Sequence, residues 1–144
     1  GNSRPCTTGR YRPNRTVFFG QRSMAINWDI LKTQYLQANR TTQLDSLALN
    51  LTRIHLLARS GSDESVAQHL VRESQFFIEW AVPNIDLETE IAFATELVDL
   101  QRLLSRWKLG WSELWANEMQ RQEVASLAQQ WCDRIHGHCE LLAR

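Results

Sequence analysis

A chain of 144 residues, 43% apolar and 22% charged, has the size and make-up of one ordinary globular domain, which excludes fibres, collagen and wholesale disorder. Its formal net charge is zero but unevenly spread. Residues 1–23 hold Arg4, Arg10, Arg12, Arg15 and Arg22 and no acid, which leaves 11 basic residues against all 16 acids, a net −5, over residues 24–144. A mildly acidic body argues against that body wrapping a phosphate backbone.

Residues 1–23 are rich in Arg, Thr, Ser, Gly and Pro and have no helical period. Thr16-Val17-Phe18-Phe19 alone has the make-up of a short strand or a docking segment. Met24 opens a different composition, so the leading expectation is that the natural chain starts there and residues 1–23 are upstream or appended sequence. A native basic arm and an organelle transit peptide are the alternatives.

From Met24 on, the periodicity is helical throughout. A first helix is expected after the N-cap Asn27, with Trp28, Leu31, Tyr35 and Ala38 on one face. Asn39-Arg40-Thr41-Thr42 weakens it, and Thr42 with Asp45 three residues on is expected to cap a second helix, unless the two are one bent helix. Leu44, Leu47, Leu51, Ile54 and Ala58 form its apolar stripe, and Gly61 is placed to end it. Ser62 or Asp63 is expected to cap the third helix, whose inner face is Ala67, Leu70, Ser74, Phe77 and Ala81, widened by Val66, Val71 and Ile78. Pro83 stops that helix.

Asp86 is expected to cap the fourth helix, with Leu87, Ile91, Ala94, Leu97, Val98, Leu100, Leu104 and Trp107 on its apolar side and Gly110 at its end. Ser112 is expected to cap the last, running unbroken to the C-terminus, with Trp111 stapled on Ala116. Its stripe is Val124, Ala128, Cys132, Ile135, Cys139 and Leu142. Short connections make consecutive helices antiparallel neighbours. The expected fold is therefore all-α, an up-and-down antiparallel bundle of four to five helices over residues 24–144.

Three cysteines, Cys6, Cys132 and Cys139, with no Cys-x-x-Cys do not read as a secreted disulfide framework. A reducing cytoplasm is the simpler expectation. No run approaches the ~20 apolar residues of a membrane helix. The first residues also lack the apolar stretch of a signal peptide.

Candidate chemistry is sparse. Cys132, His136 and Cys139 fall at i, i+4 and i+7, ligand types that zinc favours, but both cysteines lie on the apolar stripe and read as core residues. A di-iron bundle needs Glu-x-x-His, and this chain has only Asp133-Arg134-Ile135-His136. Glu88 and Glu90 suit the opening turn of the fourth helix, Glu96 and Asp99 a solvated face, Glu73 and Glu79 the rim of the third. His55 reads as a hydrogen-bonded boundary residue. No nucleophile elbow and no phosphate-binding Gly-rich loop occurs. No catalytic residue, metal or cofactor is assigned.

The least ordinary feature is six tryptophans, four of them at Trp107, Trp111, Trp115 and Trp131. Arg106, Trp107, Trp111 and Trp115 surround one turn, and Trp with Arg is the usual make-up of a binding hot spot. The bland alternative is that these rings plug the end of the bundle. Tyr35, Arg72, Glu73, Phe77 and Trp80 are the alternative lining of a small-ligand pocket between helices.

Trp28-Asp29, Thr41-Thr42-Gln43-Leu44, Arg72-Glu73-Ser74, Phe77-Ile78-Glu79-Trp80 with Pro83, and Trp131-Cys132-Asp133-Arg134 together resemble a small group of uncharacterised helical proteins from cyanobacteria. The resemblance covers residues 24–144. It implies a cytoplasmic bacterial protein starting at Met24 and carries no known activity.

The functional expectation is a non-enzymatic module that docks a protein partner or a second copy of itself as a homodimer. Leu49, Leu56 and Leu57 beside the main stripe of the second helix motivate the self-contact. A small-ligand bundle is the alternative. Nucleic-acid binding requires the basic arm to be native, and no membrane contact is expected.

Overall fold

The computed structural model of the protein describes residues 27–143. The expectations placed on residues 1–23, on Met24 and on Cys6 lie outside the described residues. The chain divides into two units, residues 1–31 and residues 32–144. In the first, Asn27 caps as its sequence position predicts. Its Oδ1 accepts from the backbone N–H groups of Asp29 and Ile30 at 3.1 and 3.2 Å.

The elements in chain order are α1 (Trp28–Gln37), α2 (Arg40–Ser60), α3 (Glu64–Ala81), a 3-10 turn (Val82–Asn84), α4 (Ile91–Leu109), α5 (Trp111–Ala116) and α6 (Glu118–Ala143). Among the described residues there is no strand, and the fold is an all-α bundle. Among those residues, too, no helix is long and apolar enough to cross a membrane.

In the second unit α2 is the central strut. Its stripe of Leu44, Leu47, Leu51, Ile54 and Ala58 is buried, as the 3.6-residue period requires. It packs against α3 on one side and α6 on the other. Along α2 and α6, Thr41 meets Cys139, Ala48 meets Cys132, His55 meets Ala125 and Arg59 meets Gln122. One number rises as the other falls, so the two helices are antiparallel. Val124, Ala128, Cys132 and Ile135 are the buried face of α6, and Cys139 is half-buried.

The turn from α2 to α3 is made by Gly61 at φ +73° and Asp63 at φ +51°, both left-handed. Glycine adopts that region freely, and aspartate is among the few other residues that tolerate it. Asp63 occupies the N-cap position of α3 but makes no side-chain cap bond. Ala67, Leu70, Val71, Ser74, Phe77, Ile78 and Trp80 are buried, while Val66 stays exposed.

Three helix starts differ from expectation. The cap of α2 is Asn39, whose side chain accepts from the Thr42 N–H at 2.8 Å; Thr42 is the donor, not the cap. Asp86 does not open α4. Its Oδ1 accepts from the Glu88 N–H and its carbonyl from Glu90, which closes an isolated turn five residues early. Leu87 and Ile91, expected on the buried side of α4, are consequently exposed, as is Val98. The last helix is two, because the chain breaks at Asn117, whose Oδ1 accepts from the Gln120 N–H and restarts the helix as α6. Ser112 lies inside α5, whose cap position is Gly110.

Candidate functional site

The tryptophans of the α4–α5–α6 corner point inward. Trp107, Trp111 and Trp115 are only 4%, 4% and 6% exposed. Trp111 and Trp115 stack with centroids 5.1 Å apart. Trp111 Nε1 donates to Glu64 Oε2 at 3.1 Å, tying α5 to the start of α3. Arg121 of α6 donates to the Trp115 carbonyl at 3.0 Å and spreads over its ring. The three rings plug this end of the bundle. What it offers to solvent is Arg106, Lys108 and Leu109, the last 88% exposed.

Tyr35, Phe77 and Trp80 are also brought together, but as packing. Tyr35 stacks on Phe77 at 4.3 Å, and Trp80 sits 6.0 and 6.1 Å from the two. The three rings pack on one another. The Tyr35 hydroxyl donates to the Gln43 carbonyl at 3.2 Å. Burial pushes its pKa up, against the pull of the Arg40 charge. The charged residues expected beside them go elsewhere. Glu73 turns towards α2, where Asn50 Nδ2 donates to it at 3.0 Å and to Ser74 Oγ at 3.3 Å. Arg72 lies over the Phe76 ring and faces a groove.

That groove is a cleft of about 280 Å³ between α3 and the α4–α5 corner, lined by Ser65, Gln68, His69, Val71, Arg72, Lys108 and Trp111. Ser65, Gln68, His69 and Arg72 are one polar flank of α3, at i, i+3, i+4 and i+7. Lys108 enters from the last turn of α4, just before the chain bends at Gly110. Farther along the same seam, Gln75 donates to Ser105 Oγ and Gln101 to the Gln75 carbonyl, which join α3 to α4. The groove therefore unites Arg72, expected in a ligand pocket, with Trp111, expected on a docking surface.

Its charge is one-sided. Among the described residues that line it, Arg72 and Lys108 are permanent cations, His69 is a third when protonated, and none is a carboxylate. The nearby Glu64 is engaged by Trp111, and Glu73 faces His69 at 3.7 Å. Ser65, His69 and Glu73 follow the order nucleophile, base, acid along α3. His69 Nε2 lies 3.7 Å from Glu73 Oε2, beyond hydrogen-bond reach.

A second polar cluster joins α4 to α6. Glu96 accepts from Arg134 at 2.7 Å and from His138 Nε2 at 2.5 Å. The Arg134 guanidinium carbon lies over the Trp131 ring, 3.9 Å from its centroid, and His138 tilts against Phe93 at 4.8 Å. Partial burial raises the Glu96 pKa, but the hydrogen bonds and charges of Arg134 and His138 outweigh it and hold the carboxyl below the usual range. Glu96 is thus a clamped anion and not the solvated residue expected, whereas Asp99 does pair with Arg102, at 3.5 Å.

The cysteine–histidine trio does not converge. Cys132 is buried, with Sγ 3.1 Å from Thr52 Oγ1 and 3.5 Å from the Ala48 carbonyl. His136 falls past the edge of the stripe and is exposed. Cys139 Sγ lies 3.3 Å from Asp45 Oδ1, and burial, then that carboxylate, raises its thiol pKa. Among the described residues no group of three His, Cys, Asp or Glu is placed to hold a metal. His55 donates to the Ala125 carbonyl at 2.7 Å, the boundary role expected of it.

Sequence reasoning passed over Ser65, Gln68, His69 and Lys108 as site residues. The polar i, i+3, i+4, i+7 run before Arg72 was a usable signal; the approach of Lys108 from α4 was not. Comparison of the chain with protein-family models, curated proteins and solved structures finds no match.

Proposed function

We propose that the protein is a non-enzymatic binding module that docks a protein partner at the α3/α4–α5 groove. The observation that carries this reading is a cleft whose lining, among the described residues, holds Arg72, Lys108 and His69 and no carboxylate. A forked guanidinium beside a mobile ammonium is an anchor for an anionic group of a partner. The test is a pull-down from source lysate comparing the wild type with Arg72→Glu/Lys108→Glu. A stoichiometric partner lost in the variant, with helical circular dichroism unchanged, is the expected result. No partner, or the same partner on both baits, overturns the reading. Replacing Trp111 or Trp115 is unsuited to this test, because both rings are buried and their loss damages the core.

A second reading, self-association, is favoured by Leu49 and Leu56 of α2. They are 58% and 56% exposed and two helical turns apart on one face. Light-scattering chromatography is expected to give a dimer for the wild type and a monomer for Leu49→Glu/Leu56→Glu. A wild-type monomer at micromolar concentration removes this reading.

A further inference from the structure

We infer that the occupant of the groove is an acidic peptide segment, with its Asp or Glu carboxylates seated between Arg72 and Lys108. This inference rests on the docking reading above and adds the chemistry of the partner.

Charge is the first argument. Both permanently charged residues lining the cleft are cations, and they come from different helices, Arg72 on α3 and Lys108 on α4. Arg72 offers a planar fork suited to a carboxylate, and Lys108 a mobile point charge. Ser65 and Gln68 add neutral donors beside them.

Size is the second argument. Pockets for whole small molecules run from ~300 to ~1,000 Å³. At about 280 Å³ this cleft lies at the bottom of that range and has room for the acidic side chains of a peptide.

The third argument is the charge around it. Residues 24–144, which hold the groove, carry a net −5, so a long polyanion laid across them meets repulsion beyond the groove, and the five arginines of residues 1–23 are what would have to offset it. A short acidic segment places its charge inside the groove, within the ~8 Å over which salt leaves local charges dominant. His69, with Glu73 behind it at 3.7 Å, adds a further positive charge when protonated.

The test uses the full chain and fluorescence anisotropy with a labelled Gly-Glu-Glu-Glu-Gly peptide, its Gln-for-Glu counterpart and inorganic phosphate as competitor. The acidic peptide is expected to bind, and the Gln peptide at least about tenfold more weakly. Arg72→Glu and Lys108→Glu should each weaken the acidic peptide by a similar factor, with circular dichroism and melting temperature confirming that both variants fold. Lys108→Met, which keeps the aliphatic stem, should lose most of the same affinity. Equal binding by wild type and the charge-reversed variants overturns the inference, because the peptide then sits elsewhere. Binding of phosphate without the acidic peptide also overturns it and assigns the groove to a phosphate group. If neither binds, the acidic-partner chemistry is wrong, and the docking reading is then judged separately by whether a lysate partner still depends on Arg72 and Lys108.

Discussion

Gly61 stands where two kinds of constraint meet. Its backbone is left-handed at φ +73°, and a Cβ built there falls 3.0 Å from the guanidinium carbon of Arg121. Gly61→Ala therefore adds backbone strain of about 1–2 kcal/mol and displaces Arg121 from the Trp115 carbonyl. Urea unfolding of the single variants and the double variant with Arg121→Ala separates the two effects. The backbone share should persist when Arg121 is absent; a cost that vanishes there is crowding alone. Leu51, fully buried, should cost ~2–5 kcal/mol on replacement by Ala. Gly61 and Leu51 were both legible in the sequence, because helix ends and apolar stripes are local patterns. Arg121 was not, since nothing near it in the chain announces a neighbour 60 positions earlier.

Helix boundaries show where local patterns stop deciding. Asn39 and Thr42 are both good caps, and a sequence offers either. The structure chooses Asn39 because α1 ends just before it, where Gln43 Nε2 donates to the Tyr35 and Ala38 carbonyls at 2.9 and 3.2 Å. That side chain satisfies carbonyls that a continuing helix would have used, so the chain breaks there. Asn39→Ala should lower stability by ~0.5–2 kcal/mol, and Thr42→Ala by much less, in thermal unfolding. The reverse order would return the cap to Thr42. Asn117 was missed for a different reason: no Gly or Pro marks the break, where the backbone turns extended at φ −104° and ψ 115° and the side chain caps the new helix through the Gln120 N–H. Asp86 misled because an Asx turn and an N-cap begin alike, and only the backbone beyond them tells which follows.

At the scale of the whole molecule, the stripes identified the fold because each helix buries one face. The groove was half legible, since Arg72 and Trp111 stood out as residue types while their meeting depends on how α3 packs against the α4–α5 corner. The same holds for Glu96, which looks solvated in sequence and is gripped by two residues some forty positions later. Arg134 and His138, one turn apart on α6, both reach this one α4 carboxylate, so this contact between the two helices is electrostatic and should respond to pH and salt. A carboxyl whose pKa is lower folded than unfolded binds fewer protons in the native state, so its contribution is present above the usual carboxylate range and fades as pH falls. Glu96→Gln should therefore be less stable than wild type near neutral pH. The gap should close as pH drops through the folded-state pKa of Glu96, where the wild-type carboxylate also becomes neutral. Because the pair is partly exposed, high salt should narrow the gap at neutral pH as well. Urea midpoints from pH 7 down to the acid limit of folding measure this. A gap constant across that range would mean that the amide disturbs packing and that the charge of Glu96 does not hold α4 to α6.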